Sequence, residues 1–310
     1  MSFKKSNLFF FCILLLIIFI PWELFSPGRF EDLSVYKDYL VQNLRHDETI
    51  FNAPAFFFFR EIFFQQWLFF LYDFFQDEDL TIKVVSAITI LIFFKGLKGS
   101  DTDFRVYILL ICPLMIDFFN SQLRNSLAVS IFLVAISLEK RYIRYSLFAI
   151  CIAVHLGSLL LIGTFFIVEI IFKVVKNKTL QFLIISLYCV AAAFGDQLFF
   201  ILIDDPRIDV YSGQGRGGMS LIYFIWSLVF LLAVLIHRRK DNANNIYINY
   251  ALTASLLVVL CYFSGSYYGR YLAMFFPLIL LSIGKIRFNN WMYWTMLFYS
   301  GYTFFMNFIV

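Results

Sequence analysis

The chain has 310 residues, of which 61% are hydrophobic and 15% charged, with 42 Phe and a net charge of +4. A soluble domain carries about 25% charged residues, so a soluble enzyme is excluded. The Lys and Arg sit in short clusters between apolar runs, as the positive-inside rule requires, and not in the basic stripe of a nucleic-acid binder. The weak alternation of a membrane β-barrel is absent too, which leaves an all-α, polytopic membrane bundle.

Runs of about 20 apolar residues cross a hydrocarbon core of roughly 30 Å. They fall at about 8–25, 56–75, 80–96, 105–120, 125–139, 145–172, 179–203, 218–236, 246–264, 270–284 and 290–309, giving about 10–11 membrane segments in a single domain over 1–310. The first follows Lys4 and Lys5 and has no Ala-x-Ala-like cleavage site, so it reads as a retained signal-anchor. Residues 26–55 form the longest non-membrane piece, where Phe30, Leu33, Val35, Tyr39, Leu40 and Leu44 are spaced as a short amphipathic helix. The run 56–75 contains Arg60, Glu61, Gln65, Gln66 and Asp73. It is too polar for a plain lipid-facing span and is expected to be re-entrant or interfacial.

Arg124 opens the run that follows Asn120. The run 145–172 is basic at both ends and carries His155. Keeping all basic clusters inside requires 56–75 not to cross as a full span and this run to break at His155–Leu156–Gly157–Ser158 into two half-spans of about 12–15 residues; with 56–75 as a full span the outer loops no longer all agree. The loop 26–55, the start of 56–75, the turn Asn120–Arg124, the His155 tip, the loop 201–218 and the turn 264–270 then share the outer face. An ionisable group at membrane depth costs roughly 2.5–3.5 kcal/mol on insertion scales and is kept for a pathway or a site. Arg124 and His155 are two such groups.

The Gly-rich segment Tyr211–Gly218, with Arg216, reads first as a flexible loop and second as a phosphate-binding nest of backbone N–H groups. Asp204–Asp205 reads as a solvated loop, since Pro206 follows and no further acidic partner is near. Cys12, Cys112, Cys151, Cys189 and Cys261 are scattered singly in apolar segments, without disulfide or zinc spacing. No metal site and no cofactor is expected.

Several of these elements together resemble the EpsG/Wzy-like bacterial polysaccharide polymerases. The resembling features are the acidic-to-Tyr element Glu31–Asp32 to Tyr36, the Arg60–Glu61 aromatic segment, the helix start Arg124 with Leu127–Ala128, the His155-to-Ser158 element, and the late Ser266–Tyr267–Tyr268–Gly269–Arg270–Tyr271 turn. The likeness runs from about residue 30 to 285 in the family's order. It departs in having one extra residue between His155 and Ser158, an altered glycine pattern before Asp32, and one helix ahead of the first outer loop.

The resemblance implies a GT-C-like fold in the bacterial inner membrane and transfer of a glycan from a polyprenyl diphosphate carrier to another carrier-linked repeat unit. Donor and acceptor lipid-linked oligosaccharides and membrane lipid are the implied partners, with a chain-length regulator and a flippase beside them, and no nucleic acid. A diphosphate leaving group calls for fixed positive charge, for which Arg124, Arg270 and Arg216 are the candidates. The acceptor hydroxyl calls for a base, for which Glu61, His155 and Asp32 are the candidates. Arg60, Tyr36, Asn120 and Tyr268 are candidate substrate contacts.

Each residue has a structural rival: Arg124 as a snorkelling or turn-capping group, His155 as a buried histidine at a helix break, Arg270 as an interface marker, Arg60–Glu61 as an ion pair, and Asp32 as part of a solvated helix. Functions of other classes stay open at this point: a lipid-linked oligosaccharide flippase or exporter, a membrane O-acyltransferase, or an O-antigen ligase.

Overall fold

The computed structural model describes residues 3–25, 30–42, 55–99, 104–202, 218–240, 246–264, 268–285 and 290–308, and every regular element among them is helical. In chain order these are α1 (Phe3–Phe19), α2 (Trp22–Phe25), α3 (Glu31–Val41), α4 (Ala55–Phe75), α5 (Glu78–Gly99), a 3₁₀ helix (Phe104–Ile111), α6 (Pro113–Asn120), α7 (Leu123–Ser137), α8 (Arg141–Val154) and α9 (Ser158–Val174). They continue as α10 (Lys178–Leu202), α11 (Gly218–Lys240), α12 (Ile246–Ser264), α13 (Tyr268–Lys285) and α14 (Asn290–Phe308). Among the described residues three stretches are long and apolar enough to cross a membrane, Glu78–Gly99, Lys178–Gly195 and Ile246–Ser264. Shorter apolar helices run over Asn7–Phe19, Leu123–Ser137, Tyr223–Ile236 and Gly269–Ser282. Large apolar side chains such as Phe70, Phe74, Leu187, Leu232 and Phe298 stand exposed along the helices, a surface suited to lipid rather than water.

Local chemistry explains the helix boundaries. Asp77 caps α5, its Oδ1 accepting the Leu80 N–H at 2.8 Å, with Glu78 and Asp79 in the first turn and Lys98 in the last, as the helix dipole favours. The segment 56–75, expected to be re-entrant or interfacial, lies in one helix of 21 residues, α4; no Gly or Pro interrupts its backbone ladder, so the chain does not turn back within it. The chain reverses afterwards at Gln76, which adopts left-handed backbone (φ 54°). The 105–120 run, expected as one span, is broken. Pro113 has no N–H to extend a helix and holds Cys112 in extended backbone (φ −68°, ψ 148°), so α6 starts afresh there. The break expected at His155 is present, with α8 ending at Val154 and α9 starting at Ser158.

The chain divides into two compact units, residues 1–159 with 293–310, and residues 160–292. The first is organised on α5 and α7. Helix α5 buries Ile82, Val85, Ser86, Thr89, Ile90, Phe93, Gly96 and Leu97, a stripe of helical period, while α7 is buried almost all round. At Gly96 the two backbones touch: a Cβ there would lie 2.6 Å from Leu133 Cβ, 2.8 Å from Leu133 C and 2.9 Å from Val134 N. Small residues permit this approach where lipid supplies no hydrophobic drive between helices. Buried hydroxyls turn back to the main chain, Ser130 Oγ donating to Ser126 O at 2.6 Å and Ser86 Oγ to Phe119 O at 2.8 Å. Around this pair, Phe10 of α1 stacks on Phe94 at 3.6 Å, and Phe304 and Phe308 of α14 close on Trp22 at 5.8 and 5.0 Å.

The second unit is organised on α12, which is buried along most of its length. Phe165 stacks on Tyr250 at 5.5 Å and Phe224 on Tyr262 at 4.1 Å. Cys189 Sγ approaches Thr253 O at 3.6 Å, so this thiol packs as a small core group. Pro277 lies inside α13.

Gly96→Ala is expected to lower stability by about 1–3 kcal/mol, because backbone atoms must move apart to admit the methyl group. Thermal unfolding of the purified protein in detergent checks this, with Gly301→Ala as the uncrowded helical control, unchanged or slightly more stable, since nothing lies within 4 Å of a Cβ at that position.

Candidate functional site

Helix α3 brings the acidic-to-Tyr element to the first unit. Phe30, Leu33, Tyr36 and Leu40 are buried, at helical spacing, while Val35 on the opposite side is exposed. The expected amphipathic helix is therefore real, with Tyr36 on its inner face and Leu44 outside the described residues. Lys37, one turn after Leu33 at the flank of that face, anchors the helix. Its Nζ lies 2.7 Å from Asp79 Oδ1 in the first turn of α5 and 3.8 Å from Glu23 Oε1 of α2. Burial alone lowers the Lys37 pKa, but the Asp79 bond and the charges of Glu23 and Glu78 outweigh it and leave the ammonium favoured.

Arg124 is the second residue of α7. A cation is disfavoured at a helix N-terminus, where the dipole is positive, so helix stability does not account for it. Its Nε donates to Tyr36 Oη at 3.0 Å, and its Cζ is 5.8 Å from the Tyr36 ring centroid. The two distances place the guanidinium off the hydroxyl end of the ring rather than stacked on its face. The ring of Tyr36 lies 5.9 Å from that of Phe64 on α4. One tyrosine thus joins three elements: the Asp32–Tyr36 helix, the aromatic segment of α4 and the Arg124 helix start. Burial raises the Tyr36 pKa; Arg124 opposes this and Asp32, one turn earlier, adds to it, so the phenol keeps its proton. With 7% of its surface exposed, Tyr36 serves as a holder of Arg124 more than as an open platform for sugar rings.

The turn from α6 to α7 carries polar groups that sequence reasoning missed. Gln122 Nε2 donates to Asp117 Oδ2 at 3.0 Å, and Asn125 Nδ2 to Gln122 Oε1 at 3.2 Å. A carboxylate only accepts, so Asp117 sets the direction of both amides and turns Asn125 Oδ1 away, where it is buried without a hydrogen bond among the described residues. The available signal was three polar residues flanking Arg124 inside an apolar stretch. Asn120 does a different task. Its Nδ2 donates to Ile116 O at 2.9 Å and to Ile17 O at 3.3 Å. The Ile17 carbonyl would pair with residue 21 in a continuing helix, but Pro21 has no N–H. The Asn120 amide and Trp22 Nε1, at 3.1 Å, fill that place.

His155 ends α8 in extended backbone (φ −155°, ψ 117°), with its own N–H still bonded to Cys151 O at 2.9 Å and its carbonyl accepting Ser158 N–H at 3.0 Å. Helices α7 and α8 form an antiparallel hairpin through the short connection 138–140, and Phe132 stacks on Phe148 at 5.6 Å. Arg124 precedes Phe132 by eight residues and His155 follows Phe148 by seven. Both therefore lie about two turns from the stack, at the same end of the hairpin.

In the second unit, Arg270 is half-buried in the first turn of α13. Arg60 and Glu61 lie on α4, one turn before Phe64, and Tyr268 opens α13; their side chains lie outside the described residues. Arg216, the rest of the Gly-rich segment up to 217, and Asp204–Asp205 also lie outside them, and Gly218 opens α11. Among the described residues no three His, Cys, Asp or Glu side chains group as metal ligands.

A family model described as the EpsG family matches residues 6–310. Nothing matches the chain among curated proteins or among solved structures.

Tyr36→Phe keeps the ring on Phe64 and deletes the acceptor for Arg124. It is expected to cost about 1 kcal/mol of thermal stability, the ordinary net worth of one hydrogen bond, with a normal amount of inserted protein. The pH dependence has a defined sign. Tyr36 and Lys37 are both raised above their ordinary values of 10.0 and 10.5, so their stabilisation is complete below those values and is lost as pH rises through the folded ones. Amide exchange of residues 31–41 should accordingly be flat, after correction for intrinsic rate, from about pH 6 to 9, and deprotect only at more alkaline pH.

Proposed function

The chain belongs to the EpsG family of polysaccharide-biosynthesis membrane proteins, and we propose that it is a glycosyltransferase that polymerises polyprenyl-diphosphate-linked oligosaccharide repeat units at the outer face of the bacterial inner membrane. The observation that carries this reading is the Arg124–Tyr36 bond. It holds a permanent cation at a helix N-terminus, two features that each favour an anion.

In the proposed reaction an acceptor hydroxyl oxygen attacks the anomeric carbon of the donor glycan. A new glycosidic C–O bond forms as the bond to the diphosphate breaks, and the lipid diphosphate leaves with the electron pair. Arg124 sits where charge develops on the leaving oxygen and is already oriented by Tyr36, so little reorganisation is needed as that charge appears. Arg270 and Arg216 are further candidates for the diphosphate. The acceptor proton passes to a base, and His155 is the first choice because it shares the Arg124 end of the α7–α8 hairpin; Glu61 and Asp32 are the alternatives. Donor and acceptor are both lipid-linked, and a flippase that supplies them and a chain-length regulator are the partners this reaction calls for.

Arg124→Ala in the native host is expected to leave single repeat units on the lipid carrier or core, with the rate of elongation down by about 10²–10³ and the amount of inserted protein unchanged. Arg124→Lys, which keeps the charge and loses the fork, should restore elongation in part. Loss of all surface glycan in Arg124→Ala would indicate a flippase instead. A normal chain-length ladder from normally inserted Arg124→Ala protein would refute the proposal.

A further inference from the structure

The turn after α8 holds the His155 side chain in an unusual place. The imidazole folds back over its own chain: a Cβ built on Gly157 would lie 2.7 Å from His155 Nε2, 3.1 Å from Cδ2 and 3.5 Å from Cε1. The first is a distance that real Cβ atoms essentially never show and the second is tight, so the Nε2–Cδ2 edge of the ring occupies space that any other residue at 157 would fill. The Nε2 edge therefore faces Gly157, and Nδ1 is a buried ring nitrogen. Backbone conformation does not demand the glycine, because Gly157 is outside the left-handed region. Its missing side chain does. We infer that Gly157 is a positioning residue for His155: its bare Cα is the seat that turns Nδ1 inward at the Arg124 end of the hairpin.

The inference rests on the reading of His155 as the acid–base group of glycosyl transfer. Its physical basis is separate from that reading. A methyl group at 157 meets imidazole atoms and, among the three nearest, no main-chain atom. The imidazole turns about its χ1 and χ2 bonds, so the ring leaves its seat and the helices on either side stay where they are. Gly157→Ala is thus a folded protein with a displaced imidazole. Gly96→Ala differs, because there two of the three nearest atoms are backbone and the third is the Leu133 Cβ, which no side-chain rotation moves.

Two measurements on the purified full-length protein in nanodiscs test this. The first is the rate at which diethyl pyrocarbonate modifies His155, followed by peptide mass mapping. In the parent protein Nε2 lies against Gly157 and Nδ1 is buried; in Gly157→Ala modification should be severalfold faster. The second is elongation of lipid-linked repeat units extracted from the host membrane. Gly157→Ala should lower kcat by at least about tenfold, a part of the roughly 10²–10⁴ that a positioned proton carrier supplies, and leave KM unchanged because Arg124 is intact. In a His155→Ala background the same substitution should have no further effect, since it acts through a ring no longer there. An unchanged modification rate would overturn the seat. An equal loss of kcat in the His155→Ala background would show that Gly157 acts on folding and not on His155. Normal elongation by His155→Ala would end the acid–base reading, while the modification rate still decides how the ring is held.

Discussion

The contact of α5 with α7 at Gly96 governs the first unit. With Leu133 and Val134 backbone atoms within 2.9 Å of where a Cβ would stand, the two helices have little freedom of rotation or sliding. That fixes α7, and α7 carries Arg124 at one end. The short connection 138–140 and the Phe132–Phe148 stack then return α8 alongside it, bringing His155 back to the Arg124 end. Two costly polar groups are thus located by a packing constraint near the far end of the helix. In a lipid surrounding, where helices gain little from merely hiding apolar surface, close backbone approach is a principal way to make such a location definite.

At the Arg124 end the polar groups restrain one another. Tyr36 holds Arg124, Lys37 holds the helix that carries Tyr36, and Asp117 orients Gln122 and Asn125. An arginine left to itself near a membrane surface turns its long side chain toward water and headgroups. Here Nε is engaged by a buried phenol, so the guanidinium is directed and not merely placed. Asn120 and Trp22 belong to the scaffold beneath, satisfying the Ile17 carbonyl that Pro21 leaves without its helical partner.

Much of this was legible from residue types and spacing. The all-helical class, the amphipathic helix after residue 30, Arg124 as a helix opener and the break at His155 all followed from hydropathy, charge placement and the expense of polar groups in an apolar run. Composition misled where backbone chemistry decides. The polar residues of 56–75 suggested a re-entrant or interfacial segment, and without Gly or Pro α4 stays one helix, which rules out the re-entrant turn. The apolar run 105–120 suggested one span, but Pro113 divides it. Tertiary partners were not legible at all. Tyr36 was readable as an aromatic near an outer loop, not as the acceptor of an arginine 88 residues later, and Asn120 was readable as a polar turn residue, not as the mate of a carbonyl 103 residues earlier. Such pairings depend on which helices touch, and single-chain periodicity does not carry that information. Gly157 was part of the His155-to-Ser158 element, yet the reason for it appears only with the imidazole lying across it.

The central claim is that the Tyr36-held guanidinium of Arg124 engages a lipid diphosphate. Equilibrium binding of undecaprenyl diphosphate to the full-length protein in nanodiscs, at one fixed salt concentration, tests it most directly. The account predicts saturable binding that Arg124→Gln weakens by at least about tenfold, the loss of a little over one kcal/mol from a charge-assisted contact. Undecaprenyl monophosphate should bind the parent protein more weakly than the diphosphate does. Equal affinity of the parent and Arg124→Gln proteins for the diphosphate would contradict the claim.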